Sequence, residues 1–147
     1  RMIFFTKGVI ETVKKLNWSP DIIHLHGWFT SLFPLYIKKL YSDDPIFEKC
    51  KIISSIYSKS FDGNLSKSLP KKIQFDGIED TLSSVSKPDF NSLSELMIEY
   101  SDSVILSSEK TEKEITAFIK KKSKDCLSYK DSLSDEKLLD FLLNNLV

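Results

Sequence analysis

Both histidines of the chain fall in one short stretch, Pro20-Asp21-Ile22-Ile23-His24-Leu25-His26-Gly27-Trp28. Two residues apart on an extended segment, their imidazoles share a face. Such a pair could ligate a metal, move a proton or hydrogen-bond a ligand. Metal ligation lacks donors. Zinc takes three or more protein ligands, Asp21 has the opposite parity, and Cys50 and Cys126 are distant in sequence. No metal and no other cofactor is expected. His24, inside the segment, reads as a core histidine satisfied by its neighbours. His26 stands at the segment's end, directly before Gly27, and open α/β sheets bind ligands beyond the carboxyl ends of their strands. His26 is the first candidate. Trp28 serves either as a stacking platform for a sugar or as a plug between helix and sheet, and the plug is the expectation.

Other chemistries lack their residues. Gly27 stands alone between strand and helix, so no glycine-rich phosphate loop is present. No serine sits in a G-x-S-x-G elbow. Glu109, Glu112 and Glu114 fall where a helix begins, and carboxylates there complement the dipole. The formal net charge is +0, so no global field draws nucleic acid or an anionic membrane. Every basic residue but Arg1 is lysine, which disfavours bidentate phosphate recognition. Two isolated cysteines read as reduced thiols. No apolar run reaches membrane-spanning length, and the cytoplasm is the expected compartment.

The elements around this stretch follow from periodicity. Apolar residues at 5, 9, 12–13 and 16 predict a helix over 4–16, with Lys7–Glu11 and Glu11–Lys15 pairs outside. Pro20 ends it. Residues 21–26 form a strand whose apolar run suits a central position in a parallel sheet. A largely buried helix spans about 30–41, with Pro34 in its first turn. A strand over 51–57 follows. Residues 58–92 form an irregular excursion with short helical turns, a candidate flap. A helix over 93–100, a strand over 103–107, and a helix capped by Ser108 come next. The lysines at 120–122 close that helix. A last helix over 135–146, within a carboxyl-terminal segment 134–147, is capped by Ser134 or Asp135. This alternation predicts an α/β fold, a parallel sheet with right-handed crossovers. Three strands are few for such a sheet. Arg1 opening directly into a helix suggests the interior of a longer chain.

The segment from Pro20 through His24, His26, Gly27, Trp28, Phe29, Thr30, Ser31, Leu32 and Pro34 to Tyr36 resembles the starch-synthase catalytic domain of bacterial glycogen synthases and plant starch synthases. That family typically reads Pro-Asp, two apolar residues, His-x-His-Asp-Trp-His, two small residues and Leu-x-Pro here. Ser55-Ile56-Tyr57-Ser58, ending at Phe61-Asp62-Gly63, is similar to its Thr-Ile-His-Asn block, which ends in Tyr-Gln-Gly. Tyr100-Ser101-Asp102-Ser103-Val104 through Ser108, then Glu114-Ile115, is similar to Tyr-Ala-Asp-x-Val, Val-Ser and Glu-Ile. The resemblance covers about residues 1–120.

It implies a Rossmann-like parallel sheet with helices on both faces, part of the amino-terminal half of a GT-B glycosyltransferase. The reaction implied is retaining glucosyl transfer from ADP-glucose to the non-reducing end of an α-1,4-glucan, in a cleft between two Rossmann halves. The implied partners are a nucleotide sugar and that glucan. The departures matter. Asp-Trp-His is Gly27-Trp28-Phe29 here, so the histidine that faces the transferred glucose is a phenylalanine. Ile-His-Asn is Ile56-Tyr57-Ser58. The Lys-x-Gly-Gly donor motif and the second Rossmann half are absent from these residues, so a missing amino-terminal portion is expected. The substrate-binding candidates are His26, Gly27, Trp28, Phe29 and Tyr57; no residue is assigned as catalytic. The fragment alone is expected to be inactive. The alternative is a non-catalytic glucan- or protein-binding relative that has lost its histidines.

Overall fold

In a computed structural model, which describes residues 1–79 and 85–146, four parallel strands form one sheet. They are β1 (Ile22–His26), β2 (Lys51–Ile56), β3 (Ser103–Leu106) and β4 (Asp125–Leu127), in the order β1-β2-β3-β4. The helices are α1 (Met2–Lys15), α2 (Leu32–Leu40), α3 (Leu69–Phe75), α4 (Phe90–Tyr100), α5 (Lys113–Lys121), α6 (Tyr129–Ser132) and α7 (Asp135–Asn144). The architecture is α/β and Rossmann-like.

Register sorts the strand residues onto two faces. Ile23 pairs with Ile52, Leu25 with Ser54, and Ser54 with Val104. The apolar ones, with Ile56, join or pack against the main core with Ile10, Leu32, Leu35, Leu93, Met97, Ile98 and Ile115 from the helices, while the buried Ser54 hydroxyl pairs with that of Ser101 at 2.6 Å. The histidines lie on the opposite face, in line with Ile53, Ser55 and Ile105. Burying branched apolar side chains on both faces of β2 is what a parallel strand flanked on each side requires.

Asp102 fastens β2 to the loop entering β3. Its carboxylate accepts the Ile52 N–H at 2.7 Å and meets Lys38 Nζ at 3.1 Å, while its own N–H donates to the Ile52 carbonyl at 2.8 Å. One side chain thereby satisfies a backbone donor at the sheet margin that would otherwise lose water without a partner.

Several expectations are corrected. β1 is an outer strand among the described residues, paired only with β2, and Ile22 and Ile23 are half-buried. The apolar run of β1 is explained by its main-core contacts, not by a central position. In α1 the buried row is Met2, Thr6 and Ile10, while Phe5 and Leu16 are exposed. Thr6 at the middle of that row is fully buried, and bulky Phe5 is left at the rim. Lys7 and Glu11 turn from each other to tertiary partners, Asp76 Oδ1 at 2.7 Å and the Tyr41 hydroxyl at 2.9 Å. Ser108 does not cap α5, which starts at Lys113 with Glu112 at its N-cap. The Ser108 hydroxyl instead accepts the Ser58 N–H at 3.0 Å.

β4 and α6 are additional to the expected elements, and α4 begins earlier than expected, at Phe90, because Asp89 accepts the Ser92 N–H at 2.8 Å. Within the expected excursion, α3 forms and Leu69, Ile73, Ile78 and Val85 are buried in the main core. Residues 80–84 and Val147, parts of the expected excursion and last segment, lie outside the described residues. Cys50 and Cys126 are free thiols, and burial pushes Cys50 up to about 11. Among the described residues no helix is long and apolar enough to cross a membrane.

Candidate functional site

β1 delivers its histidines to the carboxyl edge of the sheet because each is two residues from the other on a regular strand. His24 Nε2 lies 2.8 Å from Ser55 Oγ, and His26 Nδ1 lies 3.0 Å from the Tyr57 hydroxyl. The two imidazole centroids are 4.1 Å apart. A ladder results, with His24–Ser55 on the inner rung and His26–Tyr57 on the outer.

The rungs differ in chemistry. Burial, and secondarily His26 beside it, pulls His24 down to about 4. Near neutral pH it is an uncharged imidazole whose Nε2 is already engaged. Ser55 is 1% exposed, so its hydroxyl cannot reach a substrate and the His24–Ser55 pair is no hydrolytic couple. His26 and Tyr57 are both exposed and present a polar pair to whatever approaches the sheet edge.

Gly27 makes the turn that follows. Its φ of 73° and ψ of 172° lie where essentially only glycine settles. Its N–H donates to the Ser55 carbonyl at 3.1 Å, extending the β1–β2 ladder by one bond. The single 3-10 turn Trp28–Thr30 leads into α2, and the Thr30 hydroxyl donates to the Gly27 carbonyl at 2.9 Å.

Trp28 and Phe29 turn elsewhere. Trp28 is half-buried against Phe61 of the connection after β2, ring centroids 4.8 Å apart. Phe29 meets Phe5 at 5.5 Å and the edge of Trp28 at 5.8 Å. Both line an open, mainly apolar groove of about 1080 Å³ between α1, the 3-10 turn and α3, whose wall includes neither His26 nor Tyr57. The five candidates thus divide. His26 and Tyr57 form a polar pair over Gly27, while Trp28 and Phe29 face the groove.

Ser55, Phe5 and the α3 wall were not among the candidates. Ser55 joins through the β1–β2 register, which composition does not encode. α3 reaches the groove through a long connection with no periodic signal of its own.

The family model for the starch synthase catalytic domain matches residues 1–127. The chain belongs to that family. A glycogen synthase from Clostridium perfringens is 36% identical over 116 residues, 78% of this chain and 24% of that one. A glycogen synthase from Chlorobium luteolum is 40% identical over 78 residues, 50% of this chain and 16% of its own length. The catalytic domain of starch synthase IV from Arabidopsis thaliana, solved with ADP and acarbose, superposes with a TM-score of 0.63 at 16% identity. That match covers 89% of this chain and 30% of the plant chain, and it shows a shared fold. The chain thus spans between 16% and 30% of the length of these three relatives.

Tyr57→Phe should remove the outer rung alone. Both partners are exposed, so stability in urea should change by no more than about 1 kcal/mol. The His26 ring resonances should move in the NMR spectrum once the phenol is gone. Unchanged ring resonances would show that the rung is absent in solution.

Proposed function

We propose that this chain supplies part of one wall of a glycosyltransferase cleft. The parent protein moves glucose from ADP-glucose to an α-1,4-glucan with retention of configuration, in the cytoplasm. One observation carries this reading: the family match runs through the strand end where His26 and Trp28 stand, at the carboxyl edge of a parallel sheet. Ligands of open α/β sheets bind at that edge.

Such a transfer needs a clamp on the departing diphosphate and stabilisation of developing positive charge on the sugar. The polar groups offered here are His26 and Tyr57, suited to hydrogen-bond sugar hydroxyls. Residues 1–147 contain no Lys-x-Gly-Gly segment and no arginine after Arg1 with which to grip a diphosphate. We therefore infer that the isolated chain does not turn over ADP-glucose. Incubation with ADP-glucose and maltooligosaccharide should release no ADP above the blank. Measurable chain extension would overturn the inference.

A second reading has its own support. Phe29 and Tyr57 stand where the family pattern has histidines, and in this reading the parent is a relative that binds glucan or a protein without transferring sugar. Calorimetric titration of the parent protein with ADP-glucose, UDP-glucose and maltooligosaccharides separates the two. Heat with glucan and none with either nucleotide sugar would favour the binding reading.

A further inference from the structure

The outer rung of the ladder has a direction, and the direction decides what His26 can offer a ligand. Its engaged nitrogen is Nδ1, 3.0 Å from the Tyr57 hydroxyl, and Nε2 has no partner among the described residues. A neutral imidazole carries its proton on one nitrogen, and the other is then a bare acceptor. With the proton on Nδ1, the ring would donate to a phenol oxygen whose lone pairs are drawn into the aromatic system. With Nδ1 bare, the phenol O–H donates to it. The second arrangement joins the better donor to the better acceptor. A phenol is a stronger acid than a neutral imidazole N–H, and a bare imidazole nitrogen is the stronger base.

The surroundings favour the same arrangement. Among the described residues the Tyr57 hydroxyl has no other acceptor, and it is the one polar side-chain group on His26. Tyr57 also rests beside Gly27, where a Cβ would stand 3.8 Å from its Cδ2. The His26 ring stacks on His24, itself engaged through Nε2 with Ser55. Each ring of the rung therefore has a neighbour that limits its rotation. Two departures from the family pattern meet here, Gly27 for aspartate and Tyr57 for histidine. With no carboxylate at position 27, Tyr57 is the group that orients His26.

We propose that Tyr57 is a positioning residue that acts through His26, donating to Nδ1 and so fixing the tautomer that points Nε2–H at the ligand. The phenol proton is committed to Nδ1, which leaves the phenol oxygen as an acceptor. The rung then offers one donor and one acceptor. A sugar hydroxyl, which both accepts and donates, is its complement. A fully ionised phosphate oxygen only accepts and would face the phenol lone pairs, so the rung selects the sugar over the diphosphate. This choice of ligand rests on the reading of the β1 carboxyl edge as part of a glucosyl cleft; the tautomer does not.

A long-range proton–nitrogen correlation spectrum of the 147-residue chain at about pH 8, where a histidine is ordinarily neutral, reads the tautomer directly. A bare imidazole nitrogen resonates far downfield of a protonated one. His26→Asn identifies the His26 signals by their loss. Nε2 should be the protonated nitrogen, and Tyr57→Phe should move Nδ1 further downfield, the mark of a bare nitrogen that has lost a donor. Far-UV circular dichroism checks that the variants fold. A protonated Nδ1 in the unaltered chain would overturn the proposal, and so would an Nδ1 signal that Tyr57→Phe leaves in place.

The outward donor has its own test in the parent protein. Glutamine places its amide nitrogen near the position of Nε2, and asparagine near that of Nδ1. In calorimetric titration with maltooligosaccharide, His26→Asn should therefore weaken binding about tenfold more than His26→Gln. Equal losses would overturn the outward donor. An unaltered parent that binds no maltooligosaccharide would sink the cleft reading and its choice of sugar, while the spectrum still decides the role of Tyr57.

Discussion

Gly27→Asp should destabilise the chain by about 1–3 kcal/mol, although aspartate is what the family pattern carries at this point. The cost comes from the backbone. A Cβ at Gly27 would meet Tyr57 Cδ2 at 3.8 Å, ordinary contact, so space is not the obstacle. The φ of 73° with ψ of 172° is the obstacle, because a side chain there collides with its own carbonyl neighbourhood. The chain needs this conformation to leave β1 while still donating its N–H to Ser55. Phe29→His is the informative control. Phe29 is 37% exposed and makes its ring contacts at the rim, so the change should cost under about 1 kcal/mol. Urea denaturation followed by circular dichroism measures both. A Gly27→Asp chain as stable as the wild type would mean that the turn can adopt an ordinary conformation, and this account of it would fail. The difference between the two has a functional reading. The missing histidine can be restored cheaply; the missing aspartate cannot.

Asp76→Ala should cost about 2–3 kcal/mol, because it strips a buried phenol of its partner. Tyr36 is fully buried, and its hydroxyl donates to Asp76 Oδ2 at 2.7 Å. Lys7 holds the other oxygen at 2.7 Å. One carboxylate thus ties α1, α2 and the end of α3. Lys7 is 44% exposed, so its share is only the few tenths typical of a solvated pair. Most of the loss is the orphaned Tyr36 hydroxyl. Tyr36→Phe combined with Asp76→Ala should recover part of the stability, since removing both partners leaves nothing unsatisfied. If the double variant is no more stable than Asp76→Ala, the hydrogen bond is not the cause.

The same carboxylate sets a pH dependence. Burial opposes its charge, but hydrogen bonds from Lys7 and Tyr36 outweigh that and hold Asp76 below the ordinary carboxylate range. An unfolded aspartate titrates near about 3.9. The stabilisation is therefore complete above that pH and is lost as pH falls through the lower folded value. Acid unfolding curves of wild type and Asp76→Asn should converge at the acidic end and separate above it.

Much of this architecture is written in local pattern. The 20–37 segment, strand, glycine turn and proline-started helix, follows from β-branched runs and the special roles of Gly27 and Pro34. What escaped was set by distance rather than by local preference. β4 is three residues long, Asp125-Cys126-Leu127, and exists because β3 offers it an edge. The phase of α1 is set by tertiary packing: Phe5 and Ile10 are both apolar, yet only Ile10 is buried. At the site, His26 was found by its place before Gly27. Its pairing with Tyr57 depends on the offset between two strands whose sequences are separated by a helix.

β1 has one further consequence. Its outer flank has no neighbouring strand among the described residues, so the main-chain amides and carbonyls there form an unsealed margin. The five residues Ile-Ile-His-Leu-His carry no proline and no permanent charge to discourage a stranger from adding on. Burial pulls His24 down to about 4, so near neutral pH its imidazole adds no charge there. The stretch that carries both histidines is therefore also a margin of the sheet on which a further strand can add.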